Sequence, residues 1–341
     1  MPDLTSLTNE FFDRREAMRP TARIWAKHIA LLLAAFITVT LAGVIEPLGR
    51  IPILPNIQDP QNWSEAFSLL ISLPALYIQL VSDATYKILT DFRYLKEGLE
   101  FSVSLLAILT AHEAGHYIAC RIYGVDATLP YFIPVPPILS PAGTLGAFIK
   151  ILSPMPSRRA VFDIGVAGPI AGFVVLVPVL VLGLLTMVQV APERIAEAGL
   201  HFADPLLTQM LAKIIGVNLT LGKFNPFLAA AWVGMLVTSL NLIPSGQLDG
   251  GHAIYSIFGG RVHFWMGRIA FVVMALFSVL GWFFYSSPSG LLFVVLLGIM
   301  TRVGHPEPLI DAPLDAKRKA VAVLTLLIFI MCFVPFPVQV K

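Results

Sequence analysis

Polar and apolar positions alternate in long blocks along this chain. Apolar runs of spanning length recur at about 26–46, 97–122, 160–190, 227–246, 265–285, 288–303 and 319–337. They are continuous and bounded by charge or proline, which predicts about seven transmembrane helices and disfavours a β-barrel, whose strands would alternate. An eighth run, 66–82, is uncharged but interrupted by Pro74. It is expected to be an interfacial or partly inserted helix. The 47–62 linker, rich in Pro, Asn and Gln, reads as loop, and the 191–226 segment carries a short amphipathic helix around Pro205–Gly216. The pattern predicts one membrane domain over 1–341. Within it, 1–95 forms an N-terminal anchor helix and interfacial segment, 97–260 a core, and 261–341 C-terminal transmembrane helices.

Basic residues set an orientation. Arg14, Arg15, Arg19 and Arg23 precede the first run, and Arg121, Lys150, Arg158 and Arg159 follow the second. Arg261, Arg268, Arg302, Lys317, Arg318 and Lys319 flank later runs. With seven spans, and 66–82 not counted, all of these fall on the cytoplasmic side of an inner or plasma membrane. The N-terminus is then cytoplasmic and the C-terminus outside. The polar first 24 residues resemble neither a cleavable signal nor a transit peptide.

Composition sharpens the class. Of 341 residues, 57% are hydrophobic and only 13% charged, about half the charge of an average soluble chain. A net charge of +2 with no basic stripe argues against a nucleic-acid partner. The two cysteines, Cys120 and Cys332, lie in or beside apolar runs far apart, so neither a disulfide framework nor a cysteine zinc site is expected.

The second run contains the chemistry: His112-Glu113-Ala114-Gly115-His116. On a helix His112 and His116 lie one turn apart on one face, where two imidazoles can hold one Zn²⁺, with Glu113 beside it as base toward a water. The bland alternative is two buried histidines that only hydrogen-bond. Three polar residues inside a span are costly without a function, so the zinc reading is preferred. Two histidines still leave the metal short of a protein ligand. Asp249, at the end of the 227–246 run beyond Pro244 and Gly246, is the best candidate, since helix breaks at membrane depth are tolerated where they line a cavity. Taken alone, Asp249-Gly250-Gly251 is more often a plain turn. His252 is a rival ligand, and Asp163, Glu97 and Glu100 are weaker ones. His201, His263 and His305 fall in loops or at span ends, where solvation is expected.

These residues resemble the site-2 protease family of intramembrane zinc metalloproteases, peptidase family M50. His112-Glu113-x-x-His116 and Asn241-x-x-Pro244 leading into Leu248-Asp249-Gly250 stand in the family's order, each in a membrane segment. The match is convincing from about 97 to 260. The resemblance implies one zinc per chain held by His112, His116 and Asp249, with Glu113 as catalytic base. It further implies that Asn241 bonds the substrate carbonyl or developing oxyanion. Satisfying backbone at the Pro244 break is a second, compatible role for that asparagine.

Downstream of the motif, Leu129–Pro137 is too proline-rich for helix, and Gly143–Ile151 is a β-branched and aromatic run opened by glycines. In site-2 proteases the corresponding region looks like a membrane-associated loop with an exposed edge strand. Gly146, Ala147, Phe148 and Ile149 would then bind an unwound substrate through main-chain hydrogen bonds. Two departures stand out. Where the family often has Gly-Pro-x-x-Asn, this chain has Gly168-Pro169-Ile170-Ala171-Gly172. There is also no room for a PDZ-type insert, and that absence together with the Pro-rich loop resembles the branch that includes the chloroplast-type homologues.

The expected function is peptide hydrolysis within or next to transmembrane segments of membrane-protein substrates, with the lipid bilayer as medium. A zinc or solute transporter using the same cluster would need polar groups along a whole transbilayer path, and here they concentrate near one face. A catalytically silent scaffold is argued against by the intact motif.

Overall fold

The computed structural model describes residues 20–52, 62–189, 200–287, 289–305 and 307–340. Arg14, Arg15 and Arg19, and parts of the 47–62 and 191–226 segments, lie outside these. The described residues are mostly helical, with two small two-stranded sheets.

Helix α1 spans Ala22–Ala42 and is capped by Thr21, whose hydroxyl accepts the Ile24 N–H. Helix α2 spans Trp63–Thr90, with Asn62 accepting from Glu65 at its start. Asp91 ends α2 and caps the N-terminus of α3, Phe92–Ile122, so the two helices meet at a single residue. Strands β1 (Tyr131–Pro134) and β2 (Thr144–Phe148) follow, then α4 (Arg158–Leu185), β3 (Leu200–Phe202), α5 (Leu206–Ile215) and α6 (Pro226–Asn241). The chain closes with α7 (Asp249–Phe258), α8 (Gly260–Tyr285), α9 (Ser289–Met300), α10 (Ala316–Cys332) and β4 (Val338–Val340).

Each of the seven predicted apolar runs overlaps a helix, but length and composition alone do not make seven spans. Among the described residues, four helices are long and apolar enough to cross a membrane: α1, α2, α4 and α8. Helices α6, α9 and α10 have 16, 12 and 17 residues. At 1.5 Å per residue these cover roughly 18–26 Å, short of a ~30 Å hydrocarbon core. Helix α3 is 31 residues long but carries charge at both ends and at Glu113. The 66–82 run is the middle of α2, a 28-residue helix that continues through Pro74.

The core is built where α3, α4 and α6 pack together. Leu176, Leu180 and Leu184 of α4 meet Leu228, Ala231 and Met235 of α6, with Ile108 of α3 and Ile328 and Cys332 of α10. Ala229, Ala230 and Ala231 are fully buried, and a Cβ on Gly115 would lie 2.4 Å from the Ala167 carbonyl oxygen. Small residues at such crossings let helix backbones approach closely, which is how helices associate where lipid removes the hydrophobic drive.

Contacts sort the loops to two ends of the bundle. The end of α1 meets the start of α3, where the Thr40 hydroxyl donates to Ser102 at 2.9 Å. At the opposite end, Tyr123 donates to Asp163, and Arg318 bonds Asp163 at 2.6 Å. Arg158 there donates to the Ser256 carbonyl (2.7 Å) and pairs with Asp311 (3.0 Å). Asp315 caps α10 through the Arg318 N–H, a bond that holds its carboxyl below the ordinary range.

The β-hairpin lies along α1. Tyr131 pairs with Phe148 and Phe132 with Ala147, and the ladder extends to Ala127 opposite Ile151. His28 donates from Nδ1 to the Pro130 carbonyl (2.8 Å) and its ring packs on Tyr131. Ten residues on, roughly 15 Å along the helix, the Thr38 hydroxyl donates to the Gly143 carbonyl at 2.7 Å. Phe132 is buried among Val39, Phe101 and Leu105. The hairpin is therefore held on α1 at two points and rooted in the helical core by Phe132, while Ala147, Phe148 and Ile149 border the cavity described below. Replacing His28 with Ala is expected to speed amide exchange across 131–134 and 144–148 about three- to tenfold, matching the ~1 kcal/mol of one buried hydrogen bond. Hydrogen-exchange mass spectrometry of the purified protein reads this directly; unchanged exchange in the hairpin would remove His28 as its anchor.

Candidate metal centre

His112 and His116 project from one face of α3, four residues apart and both buried. Asp249 comes from elsewhere. Helix α6 ends at Asn241, the chain turns through Pro244, Ser245 and Gly246, and α7 opens with Asp249 as its first residue. The Asp-Gly-Gly stretch is thus a helix start and not a plain turn. Its glycines are needed for close approach: a Cβ on Gly250 would lie 2.0 Å from the Leu242 carbonyl oxygen, and one on Gly251 2.4 Å from that of Gly246.

The three ligand atoms converge. His112 Nε2 is 3.3 Å from Asp249 Oδ2, His116 Nε2 is 3.4 Å from Asp249 Oδ1, and the two Nε2 atoms are 3.1 Å apart. Two imidazoles and a carboxylate are a zinc donor set, and tetrahedral bonds of about 2.0–2.1 Å separate neighbouring ligand atoms by about 3.4 Å. The observed spacings fit that ion without rearrangement. Among the described residues no other group of three His, Cys, Asp or Glu is arranged this way.

The rival ligands go elsewhere. Glu97 pairs with Arg50 and Glu100 with Lys96, both near the start of α3. Asp163 is held by Arg318 and Tyr123. His252 lines the same cavity but bonds through Nδ1 to His305 at 2.7 Å. His263 is buried and donates to the Gly246 carbonyl, and His305 stacks on Tyr255, so neither is the solvated histidine its position at a span end predicts. The loop after α9 folds back over the site, which hydropathy does not reveal.

Helix α4 orients the motif rings. The His116 Nδ1–H donates to the Ile164 carbonyl at 2.8 Å, which turns Nε2 toward the metal position. Gly168 lies directly under that ring, since a Cβ there would fall 2.1 Å from His116 Nε2. Gly172 lies under His112, where a Cβ would come within 3.2 Å of the His112 Cβ. The departure from Gly-Pro-x-x-Asn at this position therefore leaves bare backbone against the ring. No local sequence signal points to the Ile164 carbonyl, whereas the i, i+4 glycines on an otherwise bulky helix are a signal for the close approach at Gly168.

A cavity of about 800 Å³ opens beside the three ligands. Glu113, buried, borders it, as do Asn241, Gln247 and Glu307. Asn241 Nδ2 is 3.3 Å from His112 Nε2. Of the four expected substrate-binding residues, Ala147, Phe148 and Ile149 line this cavity and Gly146 does not border it. The Gly146 N–H is bonded to the Thr144 hydroxyl instead, at a positive-φ position. Farther along, Lys150 O accepts from Thr128 N and Leu152 N donates to Asp126 O, both toward the first strand. By the alternation of an antiparallel ladder, Ile149 faces the other way. Both it and Glu113 line the cavity.

Comparison with known proteins agrees with this geometry. A family model described as Peptidase family M50 matches residues 100–281, more than half of the chain. A protein of Arabidopsis thaliana described as "Probable zinc metalloprotease EGY2, chloroplastic" is 28% identical over 297 residues, covering 83% of this chain and 50% of its own length. The protein of the same description from Oryza sativa subsp. indica is 26% identical over 293 residues, covering 83% and 52%. "Probable zinc metalloprotease EGY1, chloroplastic" of Oryza sativa subsp. japonica is 25% identical over 335 residues, covering 94% and 53%. The chain thus spans about half the length of the curated relatives it matches. No PDZ-type insert is evident among the described residues.

The cradle under the rings gives a test. Gly168→Ala must displace the His116 ring or part α3 from α4, and groups that orient metal ligands typically carry 10–100-fold in affinity. Competition with a zinc chelator is expected to show a loss of at least that size in the folded variant. Wild-type zinc affinity in Gly168→Ala would mean the ring has room the structure denies it.

Proposed function

The chain belongs to peptidase family M50, and on that premise we propose that it is a zinc metalloprotease that cleaves peptide bonds within or beside transmembrane segments of membrane-protein substrates. The observation that carries this reading is the meeting of His112, His116 and Asp249 within 3.1–3.4 Å, with Glu113 in the same cavity. His112, His116 and Asp249 would hold the ion. When bound, zinc supplies Lewis-acid polarisation of the scissile carbonyl and brings a water's pKa to about 7.

The chain's own residues do the rest. Glu113 takes a proton from the attacking water and returns it to the leaving amine. Asn241, amide turned to the ligand cluster, steadies the carbonyl oxygen as it gains charge. The edge of the hairpin at Ala147–Ile149 holds the substrate extended, by adding it as a strand. Extension is required because a helical substrate keeps its carbonyls in its own hydrogen bonds.

We read the topology as about seven spans in one membrane domain, with α2 lying along the outer interface. The end of α1 and the start of α3 share one end of the bundle, and α2 joins α3 through Asp91 alone. Leu80 and Ala84 of α2 pack on Val44, Ile45 and Ile51 at that same end. A crossing by α2 would need the Pro-, Asn- and Gln-rich segment before it to cross as well, and that composition is unsuited to lipid. The basic residues at the far end, Arg121, Arg158, Arg159 and Arg318, then face the cytoplasm, and so does the metal centre.

Two measurements test the reading. Glu113→Gln is expected to retain zinc at wild-type stoichiometry while cleavage of a single-span substrate falls at least 10²-fold, the contribution of a general base. Asp249→Ala is expected to lose zinc. Full cleavage by Glu113→Gln would refute the assigned base, and full metal content in Asp249→Ala would refute the ligand. A substrate series offers an independent check: replacing Gly, Pro or Asn near the cut with Leu is expected to slow cleavage, and a rate indifferent to helix stability would argue against a strand-bound substrate.

A further inference from the structure

Among the polar groups of the cavity that the mechanism above does not use, His252 is the one held in a fixed ring contact. His252 stands on α7 one turn beyond Asp249 and lines the cavity with Glu113, Asn241 and the ligand cluster. Its Cβ packs on Gly165 of α4, where an added Cβ would lie 2.8 Å away. Its Nδ1 is engaged by His305 Nε2 at 2.7 Å. His305 is itself fixed: its ring stacks on Tyr255 at 3.9 Å and 8°, and meets His263 edge-on at 5.3 Å. The segment carrying it is tied down on both sides, by Gln247 Nε2 to the Gly304 carbonyl (2.9 Å) and by Leu309 N to the Met155 carbonyl (3.0 Å).

Resting on the protease reading, we propose that His252 is a further catalytic residue, donating from Nε2–H to the substrate carbonyl oxygen as it becomes an oxyanion, and that His305 is the positioning residue that sets its tautomer. A neutral imidazole carries one N–H, and the nitrogen bearing it is decided by the partner of the other. When His305 Nε2–H donates to His252 Nδ1, the proton of His252 is confined to Nε2. Helix α7 thereby delivers two groups to one centre: Asp249 to the metal, and His252, one turn on, to the substrate. The segment after α9, through His305, holds the second in its donor form.

The test uses full-length zinc-loaded protein, a single-span substrate and a phosphinic peptide, whose tetrahedral oxygens mimic the oxyanion. In His252→Ala zinc stoichiometry should stay at the wild-type value. Its kcat should fall about 10²-fold, the loss on removing one oxyanion donor, with KM nearly unchanged. Phosphinic-peptide affinity should weaken in parallel, and His252→Gln, which keeps an N–H, should recover part of both. His305→Phe keeps the stack on Tyr255 but removes the donor, so kcat should fall about tenfold, whereas His305→Gln should approach wild type. Nitrogen NMR of the rings should show His252 protonated at Nε2. Unchanged kcat and phosphinic affinity in His252→Ala would overturn the proposal, and so would loss of zinc there, which would make His252 a ligand or a structural group. A zinc-loaded wild type that cleaves no membrane substrate would instead overturn the protease reading beneath it.

Discussion

Everything in this structure answers to one demand: three donor atoms from two helices must stand about 3.3 Å apart inside an apolar bundle. Burying a single unpaired ionised group costs several kcal/mol, so His112, His116, Glu113 and Asp249 are tolerable only together. Their mutual register is fixed by α4, which donates nothing to the metal. Gly115 brings α3 onto the α4 backbone at Ala167, and the Tyr123–Asp163 bond ties the two helices again beyond the motif. Asp163 precedes Ile164, whose carbonyl aims His116. The ion pair of Asp163 with Arg318 therefore anchors the same turn of α4 that orients a ligand. A pair still about a quarter open to solvent adds little to stability by itself, and its worth here is geometric.

The β-hairpin follows from the same demand. A centre proposed to handle peptide backbone within a membrane needs a backbone surface there, and irregular chain is tolerated in lipid only where its polar groups are paired or face water. His28 and Thr38 supply the pairing from α1, Phe132 roots the hairpin in the helical core, and the remaining edge borders the cavity. Ile149 of that edge lines the same cavity as Glu113, so the surface proposed to receive a strand lies beside the carboxylate proposed as base.

The parts visible in the chain alone were those with a local physical signature. Spanning-length apolarity located the helices, the four-residue spacing located the histidine pair, and Pro205 with Gly216 bracketed α5, whose end at Gly216 is left-handed. What stayed hidden was long-range. Nothing local to Gly172 says that His112 rests on it, and nothing in Ile164 says that its carbonyl, 48 residues from His116, is the one that matters. His263 and His305 look solvated because they stand at span ends, yet the loop between α9 and α10 carries His305 back onto Tyr255. Pro74 looks like a break in the sequence, yet the helix continues through it, since a proline can be carried inside a helix when nearby groups re-satisfy the freed carbonyl. Span counting by hydropathy also failed to separate helices that are long from helices that are buried. Helix α6 is short and lies deep in the core, and α2 is long and almost wholly exposed.

The break between α6 and α7 shows why that short helix must stop where it does. Asn241 and Asp249 are eight residues apart, so on one uninterrupted helix they would stand roughly 12 Å from each other along its axis. In the structure Asn241 Nδ2 and Asp249 Oδ2 each lie 3.3 Å from the same atom, His112 Nε2. Only a reversal can fold that interval onto one point, and Pro244 and Gly246 provide it, with Gly250 and Gly251 stripped of side chain so that the new helix can start against the end of the old one. The pairing of an asparagine-proline element with an aspartate-glycine element is thus a single geometric device. It sends two polar groups from one strand of sequence to a single imidazole on another helix.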